Sequence, residues 1–78
     1  MPHVRTVIPD GDLIRELRLK AELSPTELAR LLGPNRHRQT IHRLERGLPA
    51  SVLLIHQVAR ALGTEPENIT RQSVAMSI

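Results

Sequence analysis

Residues 24–34 read Ser-Pro-Thr-Glu-Leu-Ala-Arg-Leu-Leu-Gly-Pro, a stretch that specifies both ends of one short helix. Ser24 can accept from the orphan amides of a first turn, Pro25 suits the first helical position, and Glu27 completes a capping box. Gly33 can take the left-handed closing conformation, and Pro34 prevents continuation. The helix so bracketed, Pro25 to about Leu32, has Leu28, Ala29, Leu31 and Leu32 as its apolar face. A helix this short is unstable alone in water, so its neighbours must pack it.

Those neighbours carry weaker signals of the same kind. Asp10 to Asp12 offers caps for a helix over about 12–21, with Leu13, Ile14, Leu17 and Ala21 forming a one-sided stripe. After Pro34, Asn35 is the next candidate cap, for a helix that begins between Arg36 and Gln39 and ends at Gly47. Its only apolar residues are Ile41 and Leu44, which leaves most of its surface free. A helix over about 51–62 starts at Ser51 and presents Val52, Ile55, Val58, Ala59 and Leu62, with His56 in an interior-leaning register as a packed core or interface residue. Glu65 and Pro66 open a last short helix carrying Ile69. Residues 1–9 read as an extended arm or edge strand, 10–71 as the domain, and 72–78 as a loose or strand-like tail. The β-branched arms Val4 to Ile8 and Val74 to Ile78 are candidates to pair with each other or across a dimer. The expected fold is all-α, five helices in one domain.

With 78 residues and no Phe, Tyr, Trp or Cys, the core must come from aliphatic side chains, near the size where one core is only marginally stable. Neither disulfides nor thiolate metal sites are available. His3, His37, His42 and His56 match no common ligand spacing, so no metal is expected. No apolar run nears the roughly 18 residues of a bilayer span, and Met1 to Asp10 lacks a signal-peptide core. A cytoplasmic protein without membrane attachment is expected. Ser24, Thr26, Ser51 and the acids are explained by caps or pairs, and no nucleophile has a base and an orienting group. There is no glycine-rich phosphate loop. Neither an enzyme nor a cofactor is expected.

The charge is unevenly placed. Between Arg36 and Arg46 stand four arginines against one acid, Glu45, so this stretch alone carries +3, the formal net charge of the whole chain. Arginine suits bidentate contacts to phosphate and guanine. Two short helices joined through Gly33, the second polar and basic, match a helix-turn-helix whose second helix enters the major groove.

Four segments in order carry a resemblance. They are Ile14-Arg15-Glu16-Leu17-Arg18; Leu23-Ser24 with Glu27-Leu28-Ala29-Arg30-Leu31-Leu32-Gly33; Thr40-Ile41-His42-Arg43-Leu44-Glu45-Arg46-Gly47; and Val58-Ala59-Arg60-Ala61-Leu62-Gly63. Over roughly 13–70 the chain resembles the phage-repressor-like (Cro/CI, Xre) helix-turn-helix DNA-binding family, with its lambda-repressor-like fold. The resemblance implies that Ala29 sits where the two motif helices meet, that Ile41 and Leu44 anchor the recognition helix, and that Arg18 pairs with Glu45. Counting back from Gly47, it implies base contacts from Arg38, Gln39 and Arg43, with Thr40 beside them. Ser24, Arg36, His42 and Arg46 fall to the DNA backbone. Three departures stand out. Gly47 follows Gly33 by fourteen positions, two more than is usual in the family; Pro25 replaces the usual Gln; and the loop after Gly47 is short and lacks basic residues.

Leu48, Leu53 and Leu54 are either partly buried under the tails or an apolar surface for a dimer or another partner, since an exposed apolar cluster is costly in a monomer. The function expected is a dimeric, sequence-specific reader of double-stranded DNA, a repressor or other transcriptional regulator. Two alternatives stand beside it. One is the antitoxin of a toxin–antitoxin pair, with a toxin as partner; the other is a helix-turn-helix protein-interaction module without DNA binding.

Overall fold

The computed structural model describes residues 5–71. In chain order these form strand β1 (Thr6–Val7), helices α1 (Gly11–Lys20), α2 (Pro25–Leu32) and α3 (Arg38–Glu45), strand β2 (Ala50–Ser51), helix α4 (Val52–Leu62) and a 3-10 turn (Pro66–Ile69). The described chain therefore holds four α-helices rather than the expected five. Asn68 donates its amide to Glu65 and the Thr70 hydroxyl donates back to the Pro66 carbonyl, closing the last element after a single tight turn. Thr70 is then extended and forms an isolated antiparallel bridge with Pro9.

Local chemistry sets most helix ends. The Asp10 side chain accepts from the Leu13 amide at 3.2 Å, and Ser51 does the same for Leu54 at 3.1 Å. At α2 the reciprocal capping box is complete: the Glu27 amide donates to Ser24 Oγ at 3.0 Å, and the Ser24 amide donates to Glu27 Oε1 at 2.7 Å. Helix α3 differs. Its N-cap is His37 rather than Asn35, in extended conformation and without a side-chain cap.

The core gathers one stripe from each helix: Ile14 from α1; Leu28, Ala29 and Leu32 from α2; Ile41 and Leu44 from α3; Leu54, Ile55, Val58 and Ala59 from α4; and Ile69 from the final turn. Leu31 falls outside this set, 60% exposed, because Leu28, Ala29 and Leu32 already take the inward face of α2. His56 is also exposed, not packed inside as its register suggested, since Ile55, Val58 and Ala59 define the buried side of α4. Gly11 lets the start of α1 approach the end of α3: any Cβ there would run into the Glu45 and Leu44 carbonyl groups.

The N-terminal arm has a partner inside the domain that the sequence did not point to. β1 pairs antiparallel with β2, Thr6 opposite Ser51 and Val7 opposite Ala50. The Val52 amide donates to the Arg5 carbonyl, and the Arg71 amide to that of Ile8 at 2.7 Å. The arm thus ties the α3–α4 connection to the end of the domain. Val74 to Ile78 lie outside the described residues.

Candidate nucleic-acid interface

Helix α3 is anchored on one side and free on the other. Ile41 and Leu44, three residues apart, are fully buried or nearly so, while Arg38, Gln39, His42, Arg43 and Arg46 are exposed and Thr40 is half-buried. Residues four apart share a helical face, so Gln39 with Arg43, and Arg38 with His42 and Arg46, form two adjoining outward rows. Ala29, with almost no side chain to obstruct, lets α2 pack close against this helix and is itself buried.

The C-terminal end of α3 is held by Arg18 of α1. Its Nε donates to Glu45 Oε2 at 2.6 Å, its Nη2 to Oε1 at 3.2 Å, and its Nη1 to the Leu23 carbonyl at 2.9 Å. Arg18 is 7% exposed. The hydrogen bond with Glu45 raises the guanidinium pKa above its ordinary value, opposing the lowering effect of burial. Among the described residues this is the one ion pair, so no arginine on the outward face of α3 is held in one.

The residues assigned to backbone contact are placed unequally. Arg46 and His42 lie on the exposed face of α3. Arg36 is half-buried in the turn, its Nη2 donating to Gln57 Oε1 of α4 at 3.2 Å. Ser24 is exposed, but its Oγ and amide both serve the α2 cap, which leaves its hydroxyl proton for any further contact. Sequence reasoning passed over Arg30, which faces the junction of α2 and α3 together with Thr26, Arg36 and Arg38. Its place immediately after the inward-facing Ala29 and four residues after Thr26 was the available signal. It also missed Gln57, whose role depends on how α4 meets the turn.

The expected apolar surface is divided: Leu48 and Leu54 border one cleft, and Leu53 lies apart from them. Leu54 is 8% exposed and belongs to the core, because it follows the Ser51 cap on the inward side of α4. Leu48 borders a cleft of about 390 Å3 shared with Gln39 and Arg43, on the α3 side. Leu53, 64% exposed, faces away into a separate groove beside Leu31, His56 and Arg60. Among the described residues no group of His, Cys, Asp or Glu is placed to hold a metal ion, and no helix is long and apolar enough to cross a membrane.

Comparison with known proteins agrees with this geometry. A family model described as a helix-turn-helix domain matches residues 11–72. An uncharacterized HTH-type transcriptional regulator of Methanothermobacter thermautotrophicus is 48% identical over 54 residues, covering 68% of this chain and 75% of that protein. No solved structure matches.

Proposed function

The chain belongs to the helix-turn-helix domain family, and from that premise we propose that it is a sequence-specific repressor of the Cro/CI (Xre) type that binds duplex DNA as a dimer and catalyses nothing. The observation that carries this reading is the two-sidedness of α3: Ile41 and Leu44 lock it to the core while Gln39, Arg43 and Arg38 point outward without carboxylate partners. Arginine favours guanine O6 and N7, and glutamine favours adenine N6 and N7, each good bidentate contact being worth about 1–3 kcal/mol of discrimination. Arg46 and His42 then face the backbone, where each neutralised phosphate makes binding salt-dependent. A dimer of this plan sets two recognition helices about 34 Å apart and selects a near-palindrome. Repression follows from occupancy of a site that overlaps a promoter.

The test is selection of bound sequences from a random duplex pool at near-physiological salt, with Arg43→Ala in parallel. The expected outcome is a short near-palindrome whose preference at one position per half-site relaxes in the variant. Binding without any recovered motif would overturn the specific-reader assignment. Absence of binding to any duplex would favour the protein-interaction module, and capture of a toxin that the wild type inhibits would favour the antitoxin.

A further inference from the structure

A cleft of about 430 Å3 opens between α2 and the first turn of α3, beside the face that carries Gln39 and Arg43. Three arginines from three places in the chain line it: Arg30 from α2, Arg36 from the turn and Arg38 from α3. No acidic side chain lines it. The closest acid in sequence, Glu27, has its carboxylate engaged by the Ser24 amide, and Glu45 is taken by Arg18. Like charges gathered around one opening repel one another, and the attraction between Arg30 and Glu27 opposes that repulsion only in small part.

Two further features point to the kind of ligand. His37 gives α3 no side-chain cap, and the amides of Arg38 and Gln39, two residues that line the cleft, have no acceptor among the described hydrogen bonds. Arg36 is braced from behind by Gln57 Oε1, which fixes one of its nitrogens and leaves the other donors free. Oriented amides at a helix start, together with arginine forks, suit a tetrahedral oxyanion.

We propose that this cleft binds a phosphodiester of the DNA backbone, with Arg30 and Arg36 as its cationic contacts and the Thr26 hydroxyl as a donor, while Arg38 stays with the base-reading row and adds only its field. The proposal rests on the DNA reading above and gives Arg30 a role in it. The lengthened segment between Gly33 and His37 then has a physical consequence: it sets Arg36 at the mouth of the cleft, where α4 can hold it.

Arg30 is exposed on a helix, and glutamine is nearly as good a helix former, so Arg30→Gln should fold, as an unchanged thermal midpoint would verify. Its affinity for selected and scrambled duplexes should fall by one common factor, about five-fold at ~0.15 M salt, and its salt slope should lose about 0.9, the value of one phosphate contact. Arg30→Lys should restore the slope. Single neutral methylphosphonate substitutions along the duplex should locate the phosphate: the wild type loses affinity at that position, and Arg30→Gln no longer does. An unchanged slope in Arg30→Gln, with sequence selection intact, overturns the cleft and leaves the DNA reading standing. If the wild type binds no duplex, the DNA reading falls, and titration of isotope-labelled protein with inorganic phosphate judges the cleft alone. Saturable shifts at the Arg38 and Gln39 amides that vanish in Arg30→Gln would keep it as an anion site; no shifts would overturn it.

Discussion

Removing Arg18 should damage this domain more than removing its partner. The Arg18 and Glu45 side chains are only 9% and 11% exposed, and together they make two hydrogen bonds. In Arg18→Met the Glu45 carboxylate is left almost buried and unpaired, at the C-terminal end of α3 where the helix dipole already disfavours negative charge. Breaking a buried pair in this way costs about 3–5 kcal/mol, against a total stability of about 4–12 kcal/mol at this length. The midpoint should fall by about 12–40 °C, taking 4–8 °C per kcal/mol for a domain of this size. Glu45→Gln is milder, about 1–3 kcal/mol, because the guanidinium keeps the Leu23 carbonyl and gains an amide oxygen as acceptor. Urea unfolding followed by far-UV circular dichroism measures both, and the double variant closes the cycle. Adding Glu45→Gln to Arg18→Met should recover part of the loss, since no charge is then stranded. Single losses that simply add within about 0.5 kcal/mol would show the pair to be energetically uncoupled and refute the reasoning.

Gly11→Ala tests the contact between α1 and α3. Alanine is ordinarily favoured over glycine within a helix by about 0.5–1 kcal/mol, but here its Cβ meets backbone carbonyls of Glu45 and Leu44. We expect a net loss of about 1–3 kcal/mol in urea unfolding, and a neutral or stabilising result would mean that the two helices can part without cost. Glu27 gives a pH signature. Its pKa is held below the ordinary glutamate range, first by the Ser24 amide, then by the Ser24 side chain, with Arg30 adding a smaller electrostatic contribution. A depressed folded-state pKa gives stability that is present above the unfolded value and lost as pH falls through the folded one. Thermal melts across acidic pH should therefore decline more steeply for the wild type than for Glu27→Gln, and parallel profiles would contradict the assignment.

What could be read directly from the residues was whatever a few neighbouring side chains decide by themselves. Helix α2 begins where Ser24, Pro25 and Glu27 place it, and Ser51 starts α4, because each cap closes within three residues. Gly33 does end α2, but at φ 134° and ψ 169° rather than in the left-handed closing conformation. The outward row of α3 was legible for the same reason, since Ile41 and Leu44 leave a helix only one way to face. The start of α3 was not, because Asn35 looks like a cap but His37 takes the position, and packing rather than a local hydrogen bond sets it. Pairing of the arm with Ala50–Ser51, the burial of Leu54 beside an exposed Leu53, and the need for Gly11 all depend on contacts between distant segments.

The two extra residues between Gly33 and Gly47 show how these levels combine. Had they been inserted between Ile41 and Glu45, Ile41 and Leu44 could not both remain in the core while Glu45 still reaches Arg18, because one added residue turns a helix by about 100°. Ile41 and Leu44 are both buried and the ion pair is made, so the outward face of α3 keeps its register relative to Gly47. The additional length lies in the connection between Gly33 and His37, before the helix begins. There it leaves the outward rows of α3 untouched and reshapes the space between α2 and α3, which Arg30, Arg36 and Arg38 line. The departure in spacing therefore bears on the proposed phosphate cleft and leaves the outward set of α3 side chains unchanged.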